Sequence, residues 1–381
     1  MKFLHLSDLH LGRRLCEVDL YEDQRHILNQ CLAMATEHQV DGVLVAGDVY
    51  DRSVPTVGAV ALLDEFLTGL CRAKIPVYLI SGNHDSADRL GFGSQLLKAG
   101  GVHLAAVFSG GLEHYVLEDA FGPVHLWALP FIRPNQVRAA LPQETIESYT
   151  DAVAALIRAA GPDFSARNLI IAHQFVTSGG KSPETCDSET LNLGTLDNVD
   201  AAVFEGFDYV ALGHIHGPQK IGRETLRYCG TPLKYSFSEA GHKKSVTVVE
   251  LLEKGNVAVS TRPLKPLHDM RNIKGSYEQV TDLGFYRGTA VDDYLHITLT
   301  DEEDILDAIG KLRSIYPNVM KLDYDNQRTR SGQSVDKAGE IRKPPMELFG
   351  ELYELQNNQP MSEKQKEFSL RLMEKIWEDA H

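Results

Sequence analysis

Five short stretches of this chain carry side chains that bind cations or move protons, and each stretch follows an apolar run. They are Asp8 and His10 in SDLHLG, Asp48 in AGDVYD, Asn83 and His84 in SGNHD, the single His173, and His214 and His216 in ALGHIHGP. Two carboxylates, four imidazoles and one amide, with no thiolate, form a mixed nitrogen and oxygen set. Such a set suits Mn²⁺ or Fe²⁺ as readily as Zn²⁺. Asp8, His10, Asp48, Asn83, His173, His214 and His216 are too many ligands for one ion, but they divide between two ions if Asp48 bridges. Asp8, His10 and His216 then serve one ion, and Asn83, His173 and His214 the other. A pair of dications acidifies water and clamps both oxygens of a phosphoryl displacement. His84 is left without an ion. An imidazole titrating near ~6.5 is suited to protonating a leaving alkoxide. His5, His26, His38, His103, His114, His125 and His268 have no such company and are read as packed or surface histidines.

Each donor needs an element to present it. The apolar runs 3–6, 43–46, 77–80, 169–172 and 209–212 read as buried strands, with helical patterns between them around 22–37 and 56–71. Continuous apolar strands alternating with helices indicate an α/β layered fold. Ligand sites in such folds lie at the carboxyl ends of the strands, where all five donor stretches fall. Gly213 and Gly217 flank the last histidine pair and suggest close backbone approach.

Beyond residue 218 the texture changes to β-hairpin, with apolar runs at 245–249 and 257–259 around Lys254-Gly255-Asn256. Arg262-Pro263-Leu264-Lys265-Pro266 reads as a linker. A β-α-β pattern follows: strand 294–299, helix 301–316, strand 319–324. Pro344-Pro345 interrupts it. Two amphipathic helices then close the chain, the second opened by a capping box of Ser362 and Gln365. Its Phe368, Leu372 and Ile376 lie on one stripe, widened by Leu370, Met373 and Trp377.

Composition narrows the function classes. With 381 residues, 43% apolar and 24% charged, the chain has the make-up of a globular protein with room for two or three domains. No apolar run approaches the ~20 residues of a membrane helix, and Asp8 with the early histidines breaks any signal-peptide core. Five cysteines without a Cys-x-x-Cys pair point to a reducing, cytoplasmic setting without structural zinc. Gly179-Gly180-Lys181-Ser182 is not a phosphate loop, because Phe175 stands where its first glycine belongs. A net charge of −15 argues against gripping nucleic acid by bulk electrostatics.

SDLHLG, AGDVYDRSVP, SGNHD, His173 and ALGHIH followed by YCGTP resemble the calcineurin-like metallophosphoesterases, and within them the bacterial SbcD nuclease subunits. The resemblance runs from residue 1 to about 265 and continues more loosely beyond. It implies a four-layer αββα sandwich over 1–265, a small α/β capping domain over 266–343 that faces DNA, and a helical segment over 344–381 that binds SbcC. SbcC is an ATPase with long coiled coils, and any ATP is used through it alone. The resemblance further implies two Mn²⁺ ions, with Mg²⁺, Fe²⁺ or Zn²⁺ as alternatives, held by the seven residues above, with His84 as the catalytic histidine. The implied activities are ATP-dependent double-strand exonuclease and single-strand endonuclease, acting on duplex ends, hairpins and single strands in repair, recombination and replication. A homodimer, formed through helices near 62–70 and 90–97, and a cytoplasmic, nucleoid-associated location also follow from it. Archaeal and eukaryotic relatives place a second active-site histidine where this chain, like other bacterial members, has Asp51. That residue either orients His84 by hydrogen bonding or is a solvated loop carboxylate. If SbcC carries much of the DNA surface, local contacts fall to Arg13, Arg14, Arg52, Arg89 and Lys181, all in or near the donor loops. A small-molecule phosphodiesterase and a non-catalytic scaffold remain as rival readings; the complete donor set with His84 speaks against the scaffold.

Overall fold

A computed structural model of the chain describes residues 1–189, 198–326, 346, 349–353 and 360–378. It divides into two compact units. The first comprises Met1–Lys274, Glu278–Thr298 and Asp307–Asp323; the second comprises Gly275–Tyr277, Leu299–Leu306 and the described residues from Tyr324 onward.

In the first unit the apolar runs become strands β1 (Lys2–Leu6), β2 (Gly42–Ala46), β3 (Val77–Ile80) and β4 (Val102–Ala105). They are followed by β5 (Glu113–Asp119), β6 (Gly122–Leu129), β7 (Arg167–His173), β8 (Tyr209–Gly213), β9 (Gln219–Ile221), β10 (Arg223–Tyr228), β11 (Ser245–Leu251) and β12 (Val257–Pro263). One six-stranded sheet runs β12-β11-β1-β2-β3-β4, and the other β9-β10-β8-β7-β6-β5. β1 to β4 are mutually parallel, as are β6, β7, β8 and β10, so their carboxyl ends share a rim.

Strands buried on both faces explain the unbroken apolar runs. Leu4, Leu6, Val43 and Val45 pack under helices α1 (Tyr21–Glu37) and α2 (Val57–Arg72), against Ile27, Leu62 and Phe66. On the opposite face, Phe3, Leu44, Ala46 and Ile80 meet Leu169, Ile171, Tyr209 and Ala211 of the other sheet. The far side of that sheet presents Ile170, Ala172, Val210 and Leu212 to Val153 and Leu156 of α3 (Tyr149–Ala160). The order is helix, sheet, sheet, helix. Each fully buried aliphatic side chain contributes about 1.5–3 kcal/mol, which makes the sandwich a stiff mount for its rim.

Two expectations change. Arg262 and Pro263 are not linker but the end of β12, an edge strand where a missing N–H costs no ladder bond, and Leu264 beyond them is buried. The first unit also carries most of a three-stranded sheet, β13 (Met270–Gly275), β14 (Tyr294–Leu299) and β15 (Val319–Tyr324). Its helix α4 is only Ala308–Arg313, because Asp307 ahead of it is left-handed (φ 51°) and delays the first turn.

In the second unit, α5 (Glu363–Glu378) opens on the expected capping box: Ser362 N–H donates to Gln365 Oε1 at 2.8 Å and Gln365 N–H to Ser362 Oγ at 3.4 Å. Phe349, Leu352, Phe368 and Leu372 are exposed. Pro344-Pro345 and the side chains of Leu370, Met373, Ile376 and Trp377 lie outside the described residues. Among the described residues no helix is long and apolar enough to cross a membrane.

Candidate metal centre

The loops that leave β1 and β2 are laced together. Asp8 N–H donates to Gly47 O, His10 N–H to Asp48 O and Leu11 N–H to Val49 O, at 3.0, 3.0 and 2.9 Å. The β3 loop joins through the Asp85 carboxylate, which accepts from Val49, Tyr50 and Gly82 N–H at 3.1, 2.9 and 2.9 Å. Across the sheet interface, His214 N–H donates to both Asp8 oxygens at 3.0 and 3.1 Å. Gly213 is required here: a Cβ on it would lie 1.8 Å from Ala46 O. Gly217 is not required in the same way, since the nearest atom to its Cβ position is 3.5 Å away.

All seven expected donors converge. His10 Nε2 and His216 Nε2 are 3.2 Å apart. Asn83 Oδ1 lies 3.0 Å from His173 Nε2 and 2.9 Å from His214 Nδ1. Between these groups Asp48 Oδ2 is 3.8 Å from His10 Nε2 and 3.4 Å from His173 Nε2. Asp8 belongs to both sides: its carboxylate clusters within 4.8 Å with His10 and His216, and likewise with Asp48 and His173. Asp8, His10, Asp48, His173 and His216 are buried, whereas Asn83 and His84 are half-buried, so the centre opens on the Asn83 side.

The protons show what the cluster lacks. His173 Nδ1 is 2.8 Å from Ala46 O, which can only accept, so Nδ1 carries the hydrogen. Its Nε2 is the nitrogen that faces Asn83 Oδ1 and Asp48 Oδ2. His10 Nδ1 is buried with no hydrogen-bond partner among the described residues. Burial drives the pKa values of His10 and His216 well below normal and that of His214 to about 3, leaving them neutral. Burial also raises Asp8 to about 8. Burial opposes charge on Asp48 and His173 too, but their mutual attraction wins, holding Asp48 well below the carboxylate range and lifting His173 to about 9. Imidazole nitrogens and carboxylate oxygens gathered in a buried pocket, with protons held on Asp8 and His173, fit a divalent cation, which displaces those protons and ionises the carboxylates.

His84 borders the converging donors: a ring nitrogen lies within 4.8 Å of ligand atoms of His10 and Asp51, and its backbone N–H donates to Asp48 Oδ1 at 2.9 Å. Its Nδ1 donates to the backbone carbonyl of Asp51 at 3.1 Å, which leaves Nε2 outside that bond, and its ring stands edge-on to His10 at 4.9 Å. Asp51 thus touches His84 through its main chain. Its carboxylate, with 9% side-chain exposure, is not solvated but paired with Arg13 at 2.7 Å. Arg13 also lies over the Tyr235 ring at 5.9 Å. Arg14 is exposed and held to Glu17 O, and Arg52 is exposed 3.6 Å from Asp51. Arg89 is exposed on the short helix after SGNHD. Lys181 lines a different cleft with Ser178, Gln219 and Lys220.

Several supporting residues have no signature in the sequence. Gln24 Nε2 donates to His10 O at 2.7 Å, and Ser188, Glu189, Glu239 and Lys244 surround His216. Asp85 alone had a visible signal, as the last residue of SGNHD.

Residues 1–218 match the family described as calcineurin-like phosphoesterase, and residues 266–357 match one described as type 5 capsule protein repressor C-terminal domain. A curated relative, the SbcD component of nuclease SbcCD from Staphylococcus epidermidis, is 34% identical over 326 residues, covering 84% of this chain and 85% of its own. Among solved structures, a dimetal phosphatase from Danio rerio is 12% identical and covers 69% of this chain and 96% of that one, with a TM-score of 0.41. A phosphoesterase from E. coli is 13% identical and covers 70% and 100%, with a TM-score of 0.29. Every donor loop lies inside the stretch matched from residue 1 to 218, and the kinship with the staphylococcal protein spans 84% of the chain; the chain belongs to the calcineurin-like phosphoesterase family, in its SbcD branch.

Proposed function

We propose that this chain is the nuclease subunit of an SbcCD-type complex, a metal-dependent hydrolase of DNA phosphodiester bonds. The observation that carries the reading is the convergence of imidazole nitrogens and carboxylate and amide oxygens from five strand ends, with His173 Nε2 3.0 Å from Asn83 Oδ1 and 3.4 Å from Asp48 Oδ2. In this reading Asp8, His10 and His216 would hold one Mn²⁺ and Asn83, His173 and His214 a second, with Asp48 serving both. Bound there, such ions supply Lewis acidity toward the phosphoryl oxygens and acidify the attacking water.

The chain's own groups do the rest. His84 is half-buried at the open side, with Nδ1–H fixed on Asp51 O, so Nε2 is the atom that delivers a proton to the leaving oxygen. Buried Leu9, Leu11 and Ile215 exclude water from behind the donors.

The rest of the chain serves access and partnership. Residues 1–265 form the nuclease domain, 266–343 the cap toward DNA, and 344–381 the SbcC-binding segment, whose exposed Phe368 and Leu372 suit a helix-in-groove contact. ATP enters through SbcC. A homodimer contact is supported by exposed Val57, Val60, Phe92 and Leu96, whereas Leu62, Leu63, Phe66, Leu67 and Leu70 are buried in the core and do not serve it. Exposed Arg14, Arg52 and Arg89 are the DNA contacts best supported, ahead of Arg13 and Lys181.

The test is cleavage of hairpin and linear duplex DNA with Mn²⁺, with and without SbcC and ATP. Cleavage should require metal, and duplex digestion should require SbcC and ATP; no metal-dependent cleavage in any combination overturns the reading. His84→Gln should keep its metal yet lose about 10²–10⁴-fold in turnover. Full activity in that variant refutes the role of His84.

A further inference from the structure

His216 is held at every polar handle by residues far away in sequence. Its N–H donates to Glu189 Oε1 at 2.7 Å, its C=O accepts from Lys244 Nζ at 2.9 Å, and its Nδ1 lies 2.7 Å from Ser188 Oγ. Ser188 Oγ is in turn 2.6 Å from Glu239 Oε1. Glu239 accepts from Tyr235 N–H at 3.1 Å and from Lys244 Nζ at 2.6 Å, the latter as a buried ion pair.

These contacts fix every proton. Glu239 can only accept, so the single hydroxyl hydrogen of Ser188 goes to it. Ser188 Oγ must then accept, and the hydrogen it accepts is on His216 Nδ1. That leaves Nε2 of His216 bare and aimed at His10 Nε2, 3.2 Å away. The reverse orientation would leave Ser188 Oγ and Glu239 Oε1 facing each other without a hydrogen, a buried contact of two acceptors. Cys186 lies in the same neighbourhood as His216 and Glu239. Ser188 Oγ reaches the ring at 2.7 Å, the carboxylate at 2.6 Å and Cys186 Sγ at 3.2 Å, so it joins them in a hydrogen-bond relay.

We propose that Ser188, backed by Glu239 and Lys244, is a positioning residue that presets His216 as an Nε2 ligand and makes the segment carrying Cys186–Glu189 a clamp on one half of the metal centre. The inference rests on the two-ion reading above. Outer partners of histidine ligands fix the tautomer and ring direction, and their loss costs about 10- to 100-fold in metal affinity.

The test is Mn²⁺ titration of the full-length chain by calorimetry, with electron paramagnetic resonance reporting whether two ions are exchange-coupled. Ser188→Ala should weaken one of two sites by about 10- to 100-fold and leave the other unchanged, so that the coupled signal gives way to a mononuclear one at limiting metal. Ser188→Thr, which keeps the hydroxyl, should restore the pair; Glu239→Gln should weaken the same site as Ser188→Ala. Melting of the metal-free variants checks folding, and Glu239→Gln carries the test if Ser188→Ala is unfolded. Two wild-type affinities in Ser188→Ala and Glu239→Gln overturn the inference. A wild-type chain that binds no pair overturns the two-ion reading instead.

Discussion

Gly213→Ala tests whether the donors are held by direct contact between the two sheets. Gly213 pairs with His173 in the parallel register of β8 and β7, and a methyl on it would sit 1.8 Å from Ala46 O and 2.9 Å from His173 Nδ1. Ordinary contact needs about 3.4 Å or more, so backbone must move by roughly 1.5 Å in an interior packed to crystal density. Ala46 O is also the acceptor that orients His173 at 2.8 Å, so the movement breaks that bond. Overpacking of this kind costs about 1–3 kcal/mol and the hydrogen bond about 1 more. A total near 3 kcal/mol corresponds to a drop of about 6–12 °C in Tm at this domain size. Calorimetric melting without metal reads the first effect, and Mn²⁺ titration reads the loss of affinity at the His173 side. Gly217→Ala is the internal control, because its methyl meets nothing closer than 3.5 Å. It should stay within about 0.5 kcal/mol of wild type. If both variants melt alike and bind Mn²⁺ alike, close sheet contact does not hold the centre.

Two further outcomes follow from residues outside the donor set. Charge reversal of Arg52 and Arg89 should lower the slope of DNA affinity against salt by about 0.9 for each lost phosphate contact, read by fluorescence anisotropy across a salt series; an unchanged slope rejects them as contacts. His5, wholly buried between Tyr209 OH at 2.9 Å and Leu212 O at 3.2 Å, has its pKa lowered by burial to about 3. Unfolding lets it take up a proton below ~6.5, so its contribution is complete above that pH and fades as pH falls toward 3, by up to about 1.4 kcal/mol per unit. Denaturant titrations of metal-free protein should show wild type losing stability faster than His5→Gln between pH 6.5 and 4.5, and parallel curves reject this.

The strands and all five donor loops are legible because parallel strands covered on both faces leave unbroken apolar runs, and each run ends where its donor begins. β7 is buried at all seven positions and ends on His173 itself. What supports the donors is not legible. Ser188 and Glu239 stand 28 and 51 residues from their partners in the His216 relay, with no period or motif to join them. Asp51 draws attention through its side chain, but it meets His84 through its carbonyl, which every residue type carries. Pro263 punctuates the sequence like a linker, yet an edge strand accommodates it.

Asp8, His10, Asp48 and His214 all have left-handed backbone, with φ of 51°, 42°, 48° and 108°. That conformation costs a non-glycine residue about 1–2 kcal/mol. It recurs at the donors because it turns a side chain inward immediately after a strand, where an extended backbone would carry it past the rim. The contacts that offset the strain are those that set the geometry: Asp8 and His10 bonded to the β2 loop, and His214 N–H bonded to the Asp8 carboxylate. Folding and ion capture therefore draw on the same interactions. An ion that binds only the folded rim adds about 4 kcal/mol when present at a thousand times its Kd. A change that parts the sheets, such as a methyl at Gly213, must weaken ion binding without touching a ligand. Conversely, the loss of one ligand lowers the melting temperature further when metal is present than when it is absent. Stability and metal affinity at this rim are one quantity measured in two ways.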